Sequence, residues 1–258
     1  MKIRVTICEL RDESAAIEQD IEQLLAHVKK EKSDIVLLPE MALSSWFAWK
    51  KGFESCVWED AVRDHNRILD SIGRVAPAIA LGSRPVNSGG RRFNEAFVLE
   101  SAAAYRAAHH KYYLPNENGY WEANWYDRGS GEFEPVKTRV GLIGFSICSD
   151  MWFFEHAREY GRKGVGIIAC PRATPEATYG KWLASGRAAS VVSGAYSISS
   201  CKVNDVKDKV DLGGHGWIIE PDGKVLGETS PNSPFLTMEI DLNLADKAKK
   251  TYPRYIPD

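Results

Sequence analysis

Apolar positions alternate at the start of the chain. Ile3, Val5 and Ile7 are separated by Arg4 and Thr6, the period of a half-buried strand. The period then changes. Ile17, Ile21, Leu24, Leu25 and Val28 recur at helical spacing, and Lys29, Lys30 and Lys32 flank the end of that face, where cations suit the helix dipole. Asp34-Ile35-Val36-Leu37-Leu38 follows as a short apolar run and stops at Pro39-Glu40, which reads as a buried strand. A second helix is predicted over 59–75, with Ile68, Leu69, Ile72 and Val75 inward. A buried strand follows over 77–81, then a pair of hairpin strands over 94–99 and 104–109. Residues 111–135 have no period and are rich in Asn, Gly, Trp and Tyr. They read as a long ordered loop, a feature that is usually functional in a compact domain.

The second half repeats the scheme. Strands are predicted over 140–147 and 165–169, the latter ending at Cys170-Pro171, with a helix over 153–163 between them. A helix over 178–192 leads to strands near 196–201 and 216–219. Pro221-Asp222-Gly223 marks a turn between two strands, and 235–240 is the last strand. Alternating strands and helices predict an α/β fold. In each half a helix leads to a buried strand that ends in proline, at Pro39 and at Pro171. The chain therefore reads as one domain, 1–258, built of two similar halves.

Composition narrows the function. Of 258 residues, 44% are hydrophobic and 26% charged, which excludes a disordered chain. A net charge of −2 gives no basic excess for nucleic acid, and Lys247, Lys249 and Lys250 read as a solvated helix face. No apolar run is long enough to cross a bilayer, and the chain opens directly into Lys2-Ile3-Arg4-Val5 without an apolar signal region. Five cysteines stand at 8, 56, 148, 170 and 201, with no C-x-x-C pair. The expectation is a cytoplasmic protein with reduced thiols, one of them available as a nucleophile.

Three positions stand out chemically. Glu40 lies just past a buried strand, where ligands bind in open α/β sheets, although a solvated terminal charge would look the same. Cys148, in Gly144-Phe145-Ser146-Ile147-Cys148-Ser149-Asp150, lies between an apolar strand and a predicted helix. A helix N-terminus would lower its pKa, and a sharp strand-to-helix turn would present the thiol. A small core cysteine is the alternative. Lys111 enters the long loop straight from a strand and could stabilise an oxyanion, although locally it reads as a surface lysine.

Taken together, these segments resemble the nitrilase superfamily of carbon–nitrogen hydrolases. Leu37-Leu38-Pro39-Glu40-Met41 is similar to its glutamate motif, His110-Lys111-Tyr112-Tyr113-Leu114-Pro115-Asn116 to its lysine motif, and Cys148-Ser149-Asp150-Met151-Trp152-Phe153-Phe154-Glu155 to its cysteine motif. The likeness continues through Arg158, Cys170-Pro171, Gly213-Gly214-His215-Gly216 and Pro221-Asp222-Gly223, so it covers nearly the whole chain. It implies a four-layer α-β-β-α sandwich assembled as a homodimer or larger homo-oligomer. It also implies a second glutamate eleven residues after the lysine. That position is Glu122, with Glu117 as competitor.

The chemistry implied by the resemblance is thiol amidohydrolysis of a small amide. Glu40 is the general base, Cys148 the nucleophile, Lys111 and the Ser149 N–H the oxyanion donors, and Glu122 the group that orients Lys111 and the substrate. No metal or cofactor is called for. Asp150, two places after the cysteine, resembles the amidase-like branches, so amides are expected over nitriles. Ser149 stands where many members carry an aromatic residue, and Phe154 where many carry proline. An N-carbamoyl-amine hydrolase, a nitrilase or an acyltransferase are the alternatives, and an inactive binding protein on the same fold is the non-enzymatic one.

For substrate binding, Ser149, Arg172 and Trp152 are the candidates. Arg172 follows a strand end at the same rim and could grip a substrate carboxylate, or serve a structural ion pair. Trp46, Phe47, Trp49, Trp121, Trp125 and Trp152 either line an apolar pocket or belong to the core. Glu155 and Arg158 read as structural.

Overall fold

In the computed structural model, which describes residues 1–73, 78–100, 104–204 and 210–257, strands and helices alternate as the periodicity predicts. The first half holds β1 (Lys2–Arg11), α1 (Ser14–Glu31), β2 (Ile35–Leu37), α2 (Ser55–Ile72), β3 (Ile79–Ser88), β4 (Arg91–Leu99) and β5 (Tyr105–His110). A short helix, α3 (Glu122–Trp125), interrupts the long loop. The second half holds β6 (Val136–Thr138), β7 (Gly141–Phe145), a 3-10 turn (Cys148–Trp152), α4 (Phe154–Arg162), β8 (Ile167–Arg172), α5 (Tyr179–Ser193) and β9 (Tyr196–Val203). The chain closes with β10 (Trp217–Ile219), β11 (Val225–Glu228), β12 (Phe235–Asp241) and α6 (Leu242–Ala248).

The strands form two sheets. One runs β12-β1-β2-β3-β4-β5, the other β6-β7-β8-β9-β10-β11. They are joined where the end of β1 pairs in parallel with β9, Glu9 opposite Cys201. The side-chain period of two then sorts the core into layers. Ile35, Leu37, Ile79, Leu81, Ala96 and Val98 face Ile143, Phe145, Ile167, Ala169 and Ile198 between the sheets. Val36, Leu38, Ala80 and Phe97, on the opposite face of the first sheet, pack on Ile17, Ile21 and Leu24 of α1 and Ile68, Leu69 and Ile72 of α2. Ile168 on the second sheet packs against Ala157 and Tyr160 of α4 and Ala189 of α5. The result is the α-β-β-α sandwich.

Two differences from the sequence pattern have clear causes. β1 is buried on both faces, because α1 covers the side opposite Val5 and Ile7. Its polar Thr6 has no exposed surface and bonds Ser33 Oγ at 2.6 Å and Thr237 Oγ1 at 2.7 Å. β3 runs far beyond the apolar stretch, to Ser88, and turns back into β4 through Gly89 and Gly90. Both glycines have positive φ, 58° and 75°, as a two-residue hairpin turn requires. The predicted inward Val75 and the strand start Pro77 lie outside the described residues.

Packing also anchors the strand that leads to the cysteine. Gly144 of β7 lies flat against the Tyr160 ring of α4, where a Cβ would come within 2.7 Å of ring carbons. That approach lets the Tyr160 hydroxyl donate to Phe145 O at 2.9 Å and accept from Phe145 N at 3.1 Å.

Candidate active site

β2, β5, β7 and β8 all end at one edge of the two sheets, and the chain segments leaving them converge there. Glu40 N donates to Arg172 O at 3.3 Å, joining the end of β2 to the end of β8 across the sandwich. Lys111 N donates to Asn94 O of β4 at 2.9 Å. The buried Asp150 carboxylate ties the lysine segment to the cysteine turn. It accepts from Tyr112 N at 3.2 Å, Tyr113 N at 3.0 Å and Ile147 N at 3.3 Å, and pairs with His109 Nε2 at 3.0 Å.

Glu40, Lys111 and Glu122 are fully buried together. Lys111 Nζ donates to Glu40 Oε1 at 2.8 Å and to Glu122 Oε2 at 2.5 Å. Asn94 Nδ2 donates to the same Glu40 oxygen at 2.8 Å, and the Tyr126 hydroxyl donates to the same Glu122 oxygen. Each carboxylate thus keeps one oxygen, Glu40 Oε2 and Glu122 Oε1, without a hydrogen-bond partner. Glu122, and not Glu117, is the second glutamate in contact with the lysine. Glu117 is exposed at the cavity rim, and its backbone pairs with Tyr120.

Cys148 sits beside this cluster with positive φ, 47°, and Met41, next to Glu40, has φ 48°. Such a conformation costs a non-glycine residue about 1–2 kcal/mol and gathers at functional sites. Both residues turn the chain sharply at the sheet edge.

The electrostatics follow from burial. Burial disfavours the Lys111 charge, but the Glu122 and Glu40 carboxylates outweigh it and hold the ammonium well above the usual lysine range. Burial pushes Glu122 up to about 7 against the pull of Lys111, with the Glu40 charge adding to the rise. Cys148 is pushed well above the ordinary thiol range, first by burial and then by Glu40, with Lys111 opposing. This corrects the helix-terminus expectation. The 3-10 turn after Cys148 is five residues long and the thiol is buried, so Cys148 rests as a thiol.

A cavity of about 700 Å³ opens onto Cys148 and Glu122. Its wall includes Tyr113, Tyr120, Ser149, Trp152, Ala173, Trp182 and the cations Arg128 and Lys181. Ser149 is on the wall, but its hydroxyl donates to Tyr113 O at 2.5 Å, which leaves its backbone as the group for chemistry. Trp152 is on the wall, 4.7 Å from the Trp182 ring between centroids. Trp46, Phe47 and Trp125 pack instead into an aromatic cluster with Trp58.

Arg172 is placed differently from the expectation of a carboxylate grip. It has no exposed surface and is absent from the cavity wall. Its guanidinium donates to Ser199 Oγ at 2.8 Å, Thr174 Oγ1 at 2.7 Å and His215 O at 2.5 Å, and lies 4.1 Å over the Trp217 ring. The reason is register. Arg172 is still in β8, paired with Cys201 of β9, so its side chain enters the interior and not the rim. Arg172→Ala is expected to lower stability by about 3–5 kcal/mol, the scale for truncating a large buried side chain, and denaturant unfolding checks it. A stable variant that had lost activity only on anionic amides would restore the sequence-based role.

Asn94, Tyr126, Asp150, Arg128 and Lys181 were not legible as site residues. Tyr126 follows Glu122 at helical i,i+4 spacing, a signal that needs α3 to be recognised first. Asn94 sits on a strand whose register alone brings it to Glu40.

Comparison with known proteins identifies the family and the fold. The family model for carbon-nitrogen hydrolase matches residues 4–250. The chain is 24% identical to the chloroplastic omega-amidase of Arabidopsis thaliana, over 98% of this chain and 71% of that protein. It is 20% identical to 2-oxoglutaramate amidase of Paenarthrobacter nicotinovorans, over 86% of this chain and 77% of that one. A carbon-nitrogen hydrolase from Helicobacter pylori has the same fold, with TM-score 0.87 at 20% identity over 98% of this chain and 94% of that one. So has Nit3 of Saccharomyces cerevisiae, described as a member of branch 10 of the nitrilase superfamily, with TM-score 0.80 at 19% identity over 99% and 96%. The chain belongs to the carbon–nitrogen hydrolase family and is a hydrolase of non-peptide carbon–nitrogen bonds.

Proposed function

We propose that the chain, as a single carbon–nitrogen hydrolase domain, is a thiol amidohydrolase acting on small amides through Cys148. One observation carries the reading: a buried lysine bridges two carboxylates beside a thiol that opens onto a cavity. Glu40 takes the thiol proton as Cys148 Sγ attacks the amide carbonyl carbon. Because the thiol rests protonated, attack and proton transfer go together. Lys111 Nζ and the Ser149 N–H hold the oxyanion. The C–N bond breaks as Glu40 returns the proton to the leaving ammonia or amine. Water, deprotonated by Glu40, then attacks the thioester, and the acid leaves as the thiol is restored. Glu122 keeps Lys111 in place.

The relatives named as amidases support an amide substrate over an N-carbamoyl amine or a nitrile. On the cavity wall, which also holds Glu117 and Glu122, Arg128 and Lys181 are two cations that are not ion-paired among the described residues. That favours an amide bearing a carboxylate, with these two side chains in the role first assigned to Arg172. An ammonia-release screen over ω-amides of dicarboxylic acids, N-carbamoyl compounds, aliphatic amides and nitriles tests the reading. Release from nitriles alone would overturn it.

The same reading includes a cytoplasmic homo-oligomer. Five unpaired cysteines support a reducing compartment, and no helix among the described residues is long and apolar enough to cross a membrane. Exposed Tyr252, Tyr255 and Ile256 near the end of the chain suit a subunit contact.

A pH dependence follows from Glu122. In the folded protein it binds its proton up to about pH 7, against a usual value of 4.5. Its contribution to stability is full below pH 4.5 and is lost as pH rises through about 7. Activity requires the ionised form that holds Lys111, so kcat/KM should rise through the same interval. A pH–rate profile of wild type against Glu122→Gln checks this, and an unchanged acid limb in the variant would assign it elsewhere.

A further inference from the structure

Four polar atoms of the site are buried without a hydrogen-bond partner: Glu40 Oε2, Asn94 Oδ1, Glu122 Oε1 and the Tyr120 hydroxyl; of these side chains Glu122 and Tyr120 line the cavity. The side chains of Glu40, Asn94 and Glu122 already serve the proposed reaction, Glu40 as base, Asn94 as donor to Glu40 and Glu122 as partner of Lys111. The Tyr120 hydroxyl has no such part, and it differs from the other tyrosines packed into the molecule. Tyr126 bonds Glu122, Tyr160 bonds Phe145 O, Tyr105 bonds Glu95, and Tyr196 bonds Asp241 O. A buried hydroxyl left unpaired is unfavourable, so a phenylalanine would serve the fold better at this position.

The ring is fixed where it lies. Tyr120 N donates to Glu117 O at 2.9 Å, closing a tight turn through Gly119, whose φ is 83°. Trp46 Nε1 donates to Gly119 O at 3.0 Å, and the Trp46 ring stands 5.9 Å from the Tyr120 ring. Trp121 N, one residue on, donates to Ala48 O at 2.7 Å. Tyr120 lines the same cavity as Cys148 and Glu122. A side chain held by its neighbours therefore carries an unpaired donor and acceptor in the wall of the cavity onto which Cys148 opens.

We propose that Tyr120 is a specificity-determining residue: its hydroxyl hydrogen-bonds an oxygen or nitrogen carried on the acyl chain close to the scissile carbonyl. The enzyme then favours small amides with such a polar atom over plain aliphatic amides. This rests on the reading of the cavity as an amide site.

Tyr120→Phe removes one oxygen and keeps every ring contact. Binding of lactamide, 3-hydroxypropanamide and propanamide is measured by ligand-observed NMR on the Cys148→Ala protein, with and without Tyr120→Phe. At least one hydroxylated amide should bind about three- to tenfold more tightly than propanamide, the yield of one hydrogen bond. Tyr120→Phe should erase that advantage while leaving propanamide affinity and Tm unchanged or Tm raised. A preference that survives Tyr120→Phe, an equal loss on all three amides, no preference at all, or no binding by any of them would each overturn the proposal. The thiol-hydrolase reading is judged separately, by the acyl adduct on Cys148, and stands whichever result is found here.

Discussion

Cys148→Ala should lower turnover by roughly 10⁴-fold or more, the scale for losing the nucleophile of a covalent mechanism, while the protein stays folded. Cys148 makes its contribution through one sulfur atom. The backbone leading into Cys148 is held by Tyr160 of α4, which bonds Phe145, and by Asp150, which bonds Ile147, and does not depend on that atom. The matching positive result is an acyl adduct on Cys148, seen by mass spectrometry with a slow amide. Cys8, Cys170 and Cys201 are fully buried and Cys56 is exposed but lies on α2, away from the cavity wall, so none of them should carry the adduct. A Cys148→Ala protein that kept wild-type turnover would sink the thiol mechanism.

Lys111→Met should fail in two ways at once. The oxyanion loses a fixed cation, which costs about a hundredfold or more in kcat. The fold loses the charge that compensates two buried carboxylates, and breaking a buried ion pair from one side costs about 3–5 kcal/mol. The two losses can be separated by pH. At pH 8 Glu40 and Glu122 face each other without compensation. Near pH 5 Glu122, already pushed up to about 7 by burial, takes a proton and relieves the repulsion. The stability deficit measured by denaturant unfolding should therefore shrink as pH falls, while the catalytic deficit stays. Equal stability of variant and wild type at pH 8 would mean that Lys111 does not neutralise the pair.

Helix, strand and layer were readable because burial repeats with the period of the element. Ile17 to Val28 on α1, and the apolar runs of β2 and β8, point inward at the spacing their backbones impose. The hairpin of β3 and β4 was not readable in full. Arg84, Pro85, Asn87 and Ser88 carry no apolar alternation, and their strand is defined by pairing with Glu95 to Arg91. Short α3 was hidden inside the loop for the same kind of reason. Four residues hold too few turns to show a period, and burial of Glu122 and Trp125 fixes them.

The sequence by itself determined which groups are available and where along the strands they fall. Glu40 and Cys148 each follow an apolar strand and Lys111 follows the mixed strand β5, and strand ends in an α/β sheet share an edge. Glu122 stands at a fixed offset from the lysine. What only the tertiary structure decided is which of these groups face one another and at what depth. Lys111 reads locally as a surface lysine, yet packing of two sheets leaves it no exposed surface and two carboxylates as partners. Cys148 reads as a thiol activated by a helix end, yet burial raises its pKa. Arg172 reads as a rim residue, yet one step of strand register turns it inward onto Trp217. Register and burial depend on contacts between segments far apart in the chain, and no local pattern of residues contains them.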